Sequence, residues 1–167
     1  MDIVIRPVTP GEHTELGEIT AQAYLGDGLL DFGESDAYLG ELRDVAKRAA
    51  AAEVLVAVEH GTLLGGVTFV PGPGPMADIA EPGEAEIRML AVSRAHRGRG
   101  AGEALVRACV DRARALGCAR TVLSTQHTMH AAHRVYERLG FTHAPRRDWN
   151  PLPELDDIML LVYELTL

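Results

Sequence analysis

Apolar positions along this chain change their spacing several times, and each change marks an element. Ile3 to Pro7, largely β-branched, predicts a first strand. Thr9-Pro10-Gly11-Glu12 reads as a helix start, with Thr9 as N-cap, Pro10 at the first position and Glu12 closing a capping box. Leu16, Ile19 and Ala23 mark the buried side of a helix that ends near Tyr24 to Gly26. Gly26-Asp27-Gly28 and Gly33 then break the pattern. A second helix is expected from about Asp36, carrying Tyr38, Leu39, Leu42, Val45, Ala46 and Ala49 at helical spacing. Val54 to Val58 and Thr62 to Val70 are rich in β-branched residues around Glu59-His60-Gly61, which predicts a hairpin.

Pro71-Gly72-Pro73-Gly74-Pro75 opens an irregular loop reaching Pro82-Gly83. An apolar strand follows over Glu84–Val92. The next helix carries Leu105, Val106, Cys109, Val110, Ala113 and Leu116 on one face and stops at Gly117. Thr121 to Thr125 predicts a strand parallel to the previous one, because a right-handed helical crossover joins them. A short helix places Ala132, Val135, Tyr136 and Leu139 inward and ends at Gly140. Phe141 to His143 and Ile158 to Leu165 supply closing strands around a Pro-rich connection. No internal repeat interrupts this order, and 167 residues suit a single domain spanning 1–167.

Composition narrows the function classes. The net charge of −8 argues against nucleic acid as a partner, and no apolar run is long enough for a membrane span. The N-terminal segment reads as a strand and not as a signal peptide, and Cys109 and Cys118 offer no disulfide framework, so a reducing cytoplasm is expected. The charge is uneven. Arg94, Arg97, Arg99, Arg107, Arg112, Arg114 and Arg120 face only Glu103 and Asp111 in their stretch, while 12–44 and 78–86 are acidic. A polyanionic cofactor in one place and a cationic substrate elsewhere would fit that split, as would a solvated Arg-rich helix face for the later arginines.

The turn between the central strand and its helix carries the strongest chemical signal. Arg97-Gly98-Arg99-Gly100-Ala101-Gly102-Glu103 opens directly onto the helix, where unpaired amides and the helix dipole suit a diphosphate. A Walker A loop is excluded because no Lys is present in the turn. The dinucleotide fingerprint Gly-x-Gly-x-x-Gly fails too, because the place of its third glycine holds Glu103.

Arg-x-x-Gly-x-Gly, as Arg97, Gly100 and Gly102 after Leu90-Ala91-Val92, resembles the coenzyme A-binding motif of the GNAT N-acetyltransferase superfamily. Ala132-x-x-x-Tyr136-Glu137-Arg138-Leu139-Gly140-Phe141 resembles the second half of that family's core, so the likeness covers roughly 84–142. The resemblance implies an α/β (α+β) fold: a mixed, mostly antiparallel sheet of six to seven strands, about four flanking helices, and one splayed strand pair that admits the cofactor. It further implies acetyl transfer from acetyl-coenzyme A to a primary amine by direct attack on the thioester. The backbone of Leu90, Ala91 and Val92 would lie along the pantetheine arm, and Arg97, Gly98, Arg99, Gly100, Ala101, Gly102 and Glu103 would wrap the diphosphate. Family members often form homodimers. One departure stands out: where similar proteins often carry Asn seven residues before the tyrosine, this chain has Met129.

Acetylation needs a base for the ammonium and an acid for the departing thiolate. The resemblance points to Tyr136 as the acid, although its place on an apolar stripe also suits a core tyrosine. Glu86 is the candidate base, with Glu84 two residues back on the same face, and either carboxylate could simply attract a cation. Tyr24, Asp27, Phe32 and Tyr38, within an acidic-aromatic stretch that also holds Asp31, Glu34 and Asp36, are candidates for acceptor binding. His127, His130 and His133 lack the Cys or carboxylate partners of a zinc pattern, so no metal is expected. Asp148-Trp149 could shape the acceptor mouth or anchor packing. The readings that follow are a small-molecule N-acetyltransferase, a protein or peptide N-acetyltransferase, and a non-catalytic acyl-coenzyme A-binding module, with a Rossmann oxidoreductase as a remote fourth.

Overall fold

The computed structural model describes residues 2–167. Its centre is one seven-stranded sheet in the order β1-β2-β3-β4-β5-β7-β6. The strands are β1 (Ile3–Pro7), β2 (Glu53–Glu59), β3 (Thr62–Val70), β4 (Glu84–Val92), β5 (Arg120–Gln126), β6 (Thr142–His143) and β7 (Leu160–Thr166). Every neighbouring pair is antiparallel except β4 and β5, which run parallel as the crossover rule requires. The helices are α1 (His13–Gly26), α2 (Tyr38–Arg43), α3 (Val45–Ala51), α4 (Ala101–Ala115) and α5 (His130–Arg138).

Alternation along the strands sorts the core into two layers. On one face Val54, Val56 and Leu63 pack with Leu16 of α1 and Val45 of α3. On the other, Leu64, Val67, Phe69, Ala85 and Ile87 meet the apolar stripe of α4, with Tyr136 of α5 and Tyr163 of β7 closing the same layer. The β2–β3 hairpin turns at His60 and Gly61, whose φ values of 50° and 78° give the primed turn that strand twist favours.

The helix expected from Asp36 onward is two helices. Asp44 leaves helical geometry at φ −84°, ψ 67°, and its carboxylate caps the amide of Lys47 at 3.1 Å. The break also exposes the carbonyls of Glu41 and Leu42, which accept from the fully buried guanidinium of Arg48. No helix among the described residues is long and apolar enough to cross a membrane.

Candidate active site

Two irregularities in the sheet create the site. Gly66 pairs with Ala91 and Thr68 with Arg88, so Met89 and Leu90 both lie opposite Val67 and β4 bulges there. Met89 adopts φ 52°, a left-handed conformation that costs a side-chain-bearing residue about 1–2 kcal/mol. Its burial among Ala21, Leu39 and Leu42 holds it there. Pairing between β4 and β5 ends at Ile87 and Leu123. Beyond that point Arg88–Val92 stays on β3 while Ser124–Gln126 stays on β7, and the two strands part.

The glycine turn stands at the end of the bulged strand. Gly98 and Gly100 adopt φ 81° and 86°, and a Cβ at either would meet no protein atom within 4 Å. Gly100 is the N-cap of α4 and brings no side chain to its amides. The first intrahelical bond runs from Ala104 N to Gly100 O, so the amides of residues 101–103 precede it and face outward at the positive end of a 15-residue helix. That is an anion cradle of backbone N–H groups.

The arginines beside it are not free charges. Arg97 makes a bidentate pair with Asp27 at 2.9 Å through each nitrogen, and Arg94 reaches the same carboxylate at 3.2 Å. Arg99 pairs with Glu59 at 3.1 Å, and Glu103 lies between Arg107 and Arg138. Asp27, expected at the acceptor site, therefore belongs to the rim of the cradle. Being the C-cap of α1, it is set against the turn by tertiary packing.

A cavity of about 520 Å³ occupies the gap between the parted strands. Ile87, Arg88 and Leu90 of β4, Leu123 to Gln126 of β5 and Tyr136 of α5 all line it. Tyr136 is only 5% exposed, and no described residue hydrogen-bonds its hydroxyl. Burial pushes that phenol above its ordinary pKa, so it stays protonated at neutral pH. Glu86 is 1% exposed and lines the same cavity. Its Oε1 accepts from the amides of Asp78, Ile79 and Ala80 at 2.9, 2.9 and 3.0 Å, which pins the loop 71–83, while Oε2 takes no bond from a described residue. Burial raises the Glu86 pKa against the opposing pull of the Ile79 and Ala80 amides.

Glu84, on the same strand face, is held differently. Burial works to raise its pKa, but Arg147, the Glu81 amide and Arg120 outweigh that and hold it at about 2. It is an ion-pair anchor between β4 and the segment before β7. Of the acceptor candidates, Tyr24 and Tyr38 line the cavity with ring centroids 6.3 Å apart. Phe32 is 55% exposed and stands outside it. Trp149 lines the cavity and donates its Nε1–H to Ser124 Oγ at 2.9 Å, so it is both wall and anchor. Asp148 accepts from the Val162 amide at 2.9 Å and lies 3.0 Å from His143. Met129, at the N-cap of α5, also lines the cavity. The histidines separate: His127 is on the cavity wall, His133 turns Nε2 to the Gln126 carbonyl at 3.0 Å and stacks on Tyr163, and His130 meets His133 edge-on.

Arg88 was not singled out from the sequence. It reaches Asp78 at 3.1 Å, the Tyr38 hydroxyl at 3.0 Å and the Met76 carbonyl at 2.7 Å, tying loop 71–83 and α2 to the cavity wall. The signal was available: Glu84, Glu86 and Arg88 repeat at period two, putting three charges on one face of an otherwise apolar strand.

Comparison with known proteins bears on these features. The model of the Acetyltransferase (GNAT) family matches residues 17–141. An uncharacterized N-acetyltransferase of Schizosaccharomyces pombe is 34% identical over 97 residues, 58% of this chain and 55% of that protein. The chain thus spans about half the length of the curated relative it matches. YncA of Salmonella typhimurium, solved with its cofactor acetyl-CoA, superposes with a TM-score of 0.73 at 21% identity, covering 98% of this chain and 93% of that one. A GNAT family acetyltransferase of Brucella melitensis in complex with acetyl-CoA is 28% identical with a TM-score of 0.62, covering 84% and 83%.

Proposed function

The chain belongs to the Acetyltransferase (GNAT) family, and from that premise we propose that it transfers an acetyl group from acetyl-coenzyme A to a primary amine of a small molecule, by direct attack on the thioester. The observation that carries this reading is the parting of β4 from β5, which leaves a cavity walled by both Tyr136 and Glu86 on the strand that leads into the amide cradle at Gly100. The complex of the Brucella melitensis relative with acetyl-CoA supports the choice of cofactor.

The residues present fit that cofactor. Open space at the Cβ positions of Gly98 and Gly100 leaves the main chain approachable by a diphosphate, and the α4 amides supply donors. Arg97, Gly98, Arg99, Gly100, Ala101, Gly102 and Glu103 would hold that end, and the bulged backbone of Leu90, Ala91 and Val92 would hold the pantetheine arm. When bound, acetyl-coenzyme A supplies an acetyl group activated as a thioester.

The chain's own groups move two protons. Glu86 takes one from the incoming ammonium, directly or through water, so that a neutral amine can attack. Its Oε2, which takes no bond from a described residue, is left for this task while Oε1 keeps the loop fixed. Tyr136 gives one to the departing sulfur, and its buried phenol retains that proton until needed. The second proton, shed by the nitrogen as the amide forms, restores the phenol, and Glu86 gives its own up to solvent through the cavity mouth. The volume of about 520 Å³ suits a compact acceptor better than a folded protein surface.

Thiol release from acetyl-coenzyme A, followed with a chromogenic disulfide, tests the reading. Turnover with small primary amines is expected. Turnover with peptides alone would assign the chain to protein acetylation, and coenzyme A binding without turnover of any amine would leave only a binding module.

A further inference from the structure

Resting on the acetyl-transfer reading above, we infer that the acceptor is an aliphatic diamine or polyamine: one amine is acetylated at depth while a second ammonium sits between Asp31 and Asp157 at the cavity rim. Asp31, Asp36, Asp78, Glu86 and Asp157 all line the cavity, and Arg88 is the sole guanidinium on its wall among the described residues. That guanidinium is already satisfied by Asp78, Tyr38 and Met76.

The carboxylates divide by what they already hold. Asp78 is paired with Arg88. Asp36 accepts the amides of Phe32 and Tyr38 at 3.3 and 2.9 Å and so builds the loop. Glu86 is buried with one oxygen unshared, and the same cavity holds the unpartnered hydroxyl of buried Tyr136; those two groups mark where chemistry happens. Asp31 and Asp157 remain. Both are exposed, they come from segments far apart in sequence, and neither enters an ion pair with a described residue.

The cavity wall also offers Tyr24 and Trp149, with the indole fixed by Ser124. Aromatic faces suit both methylenes and the flank of an ammonium. An acceptor with a single amine would leave the rim carboxylates without a counter-charge, and one bearing a carboxylate would meet net negative potential at every approach.

The test compares acceptors of equal length and different charge: butylamine, 1,4-diaminobutane and 4-aminobutanoate, then the six-carbon series. The diamine is expected to exceed butylamine in kcat/KM by about fivefold, the effect of two carboxylates each acting at the strength of an exposed ion pair. The aminobutanoate is expected to be poorest, and the diamine's advantage to shrink as salt is raised. Asp31→Asn and Asp157→Asn should each lower diamine kcat/KM more than that of butylamine. A diamine-to-monoamine ratio of one or less in both series, a preference for the aminobutanoate, or a ratio untouched in both variants overturns the inference. Failure of every amine alongside normal coenzyme A binding sinks the acetyl-transfer reading together with the inference and leaves the cofactor reading standing. Failure to bind coenzyme A sinks the cofactor reading as well.

Discussion

Replacing Glu84 by Gln removes one negative charge from the anchor that fixes β4 against the segment before β7. The wild-type side chain is 1% exposed and accepts from Arg147 twice at 2.9 Å and from Arg120 at 3.0 Å. Burial opposes its ionisation, yet the two guanidiniums and the Glu81 amide bring its pKa from 4.5 to about 2. A carboxylate depressed on folding stabilises the native state fully above its unfolded value and loses that contribution as pH falls through the folded one. At about 1.4 kcal/mol per pH unit, the span corresponds to about 3 kcal/mol at pH 7, about 1.4 kcal/mol at pH 3, and nothing well below pH 2. The variant strands no cation, because Arg147 keeps Glu164 at 3.4 Å and Arg120, 42% exposed, turns to water. Urea unfolding followed by circular dichroism at both pH values reads the effect. Glu84→Gln should unfold at lower urea at pH 7, with the gap roughly halved at pH 3. Equal midpoints at pH 7, or a gap that does not change with pH, would refute the reasoning.

Three further substitutions address the chemistry. Tyr136→Phe should lower kcat by about 10²-fold, the scale of a lost general acid, while coenzyme A affinity stays within about twofold; an undiminished kcat removes the phenol from the mechanism. Glu86 acts in its ionised form and its pKa is raised, so wild-type turnover should fall as pH drops through that value. Glu86→Gln should abolish this acidic limb in the pH–rate profile, and a surviving limb assigns the base elsewhere. Gly100→Ala places a methyl at φ 86°, costing about 1–2 kcal/mol of stability by unfolding. Because that methyl points into open space and not into protein, calorimetry should show coenzyme A affinity reduced by about tenfold or more, and equal affinity would dismiss the turn as the diphosphate site.

Local chemistry made much of the fold readable. The hairpin at His60-Gly61 needed only turn residues between β-branched runs, and α4 needed only a stripe ending at Gly117. The parallel β4–β5 pair followed from the handedness of crossovers. Features decided by tertiary contact stayed hidden. The bulge at Met89 lies inside an apolar run whose pattern is blind to an extra residue, and it is held by packing from α1 and α2. Asp27 could not be assigned to the cradle because its partners Arg94 and Arg97 lie some seventy positions on. The break at Asp44 was missed because Tyr38 to Ala49 keeps helical spacing straight through a cap. At the cavity, Tyr136, Glu86 and Trp149 were marked by resemblance and residue chemistry, whereas Asp157 comes from a Pro-rich stretch without periodicity.

Isothermal titration of the folded wild-type chain with coenzyme A, set beside pantetheine, which lacks the diphosphate, tests the central claim most directly. If the amides around Gly100 and the bulged run of β4 hold the two ends of one carrier, coenzyme A should saturate a single site and pantetheine should bind much more weakly. No heat with coenzyme A, or equal affinity for the two compounds, would contradict the account.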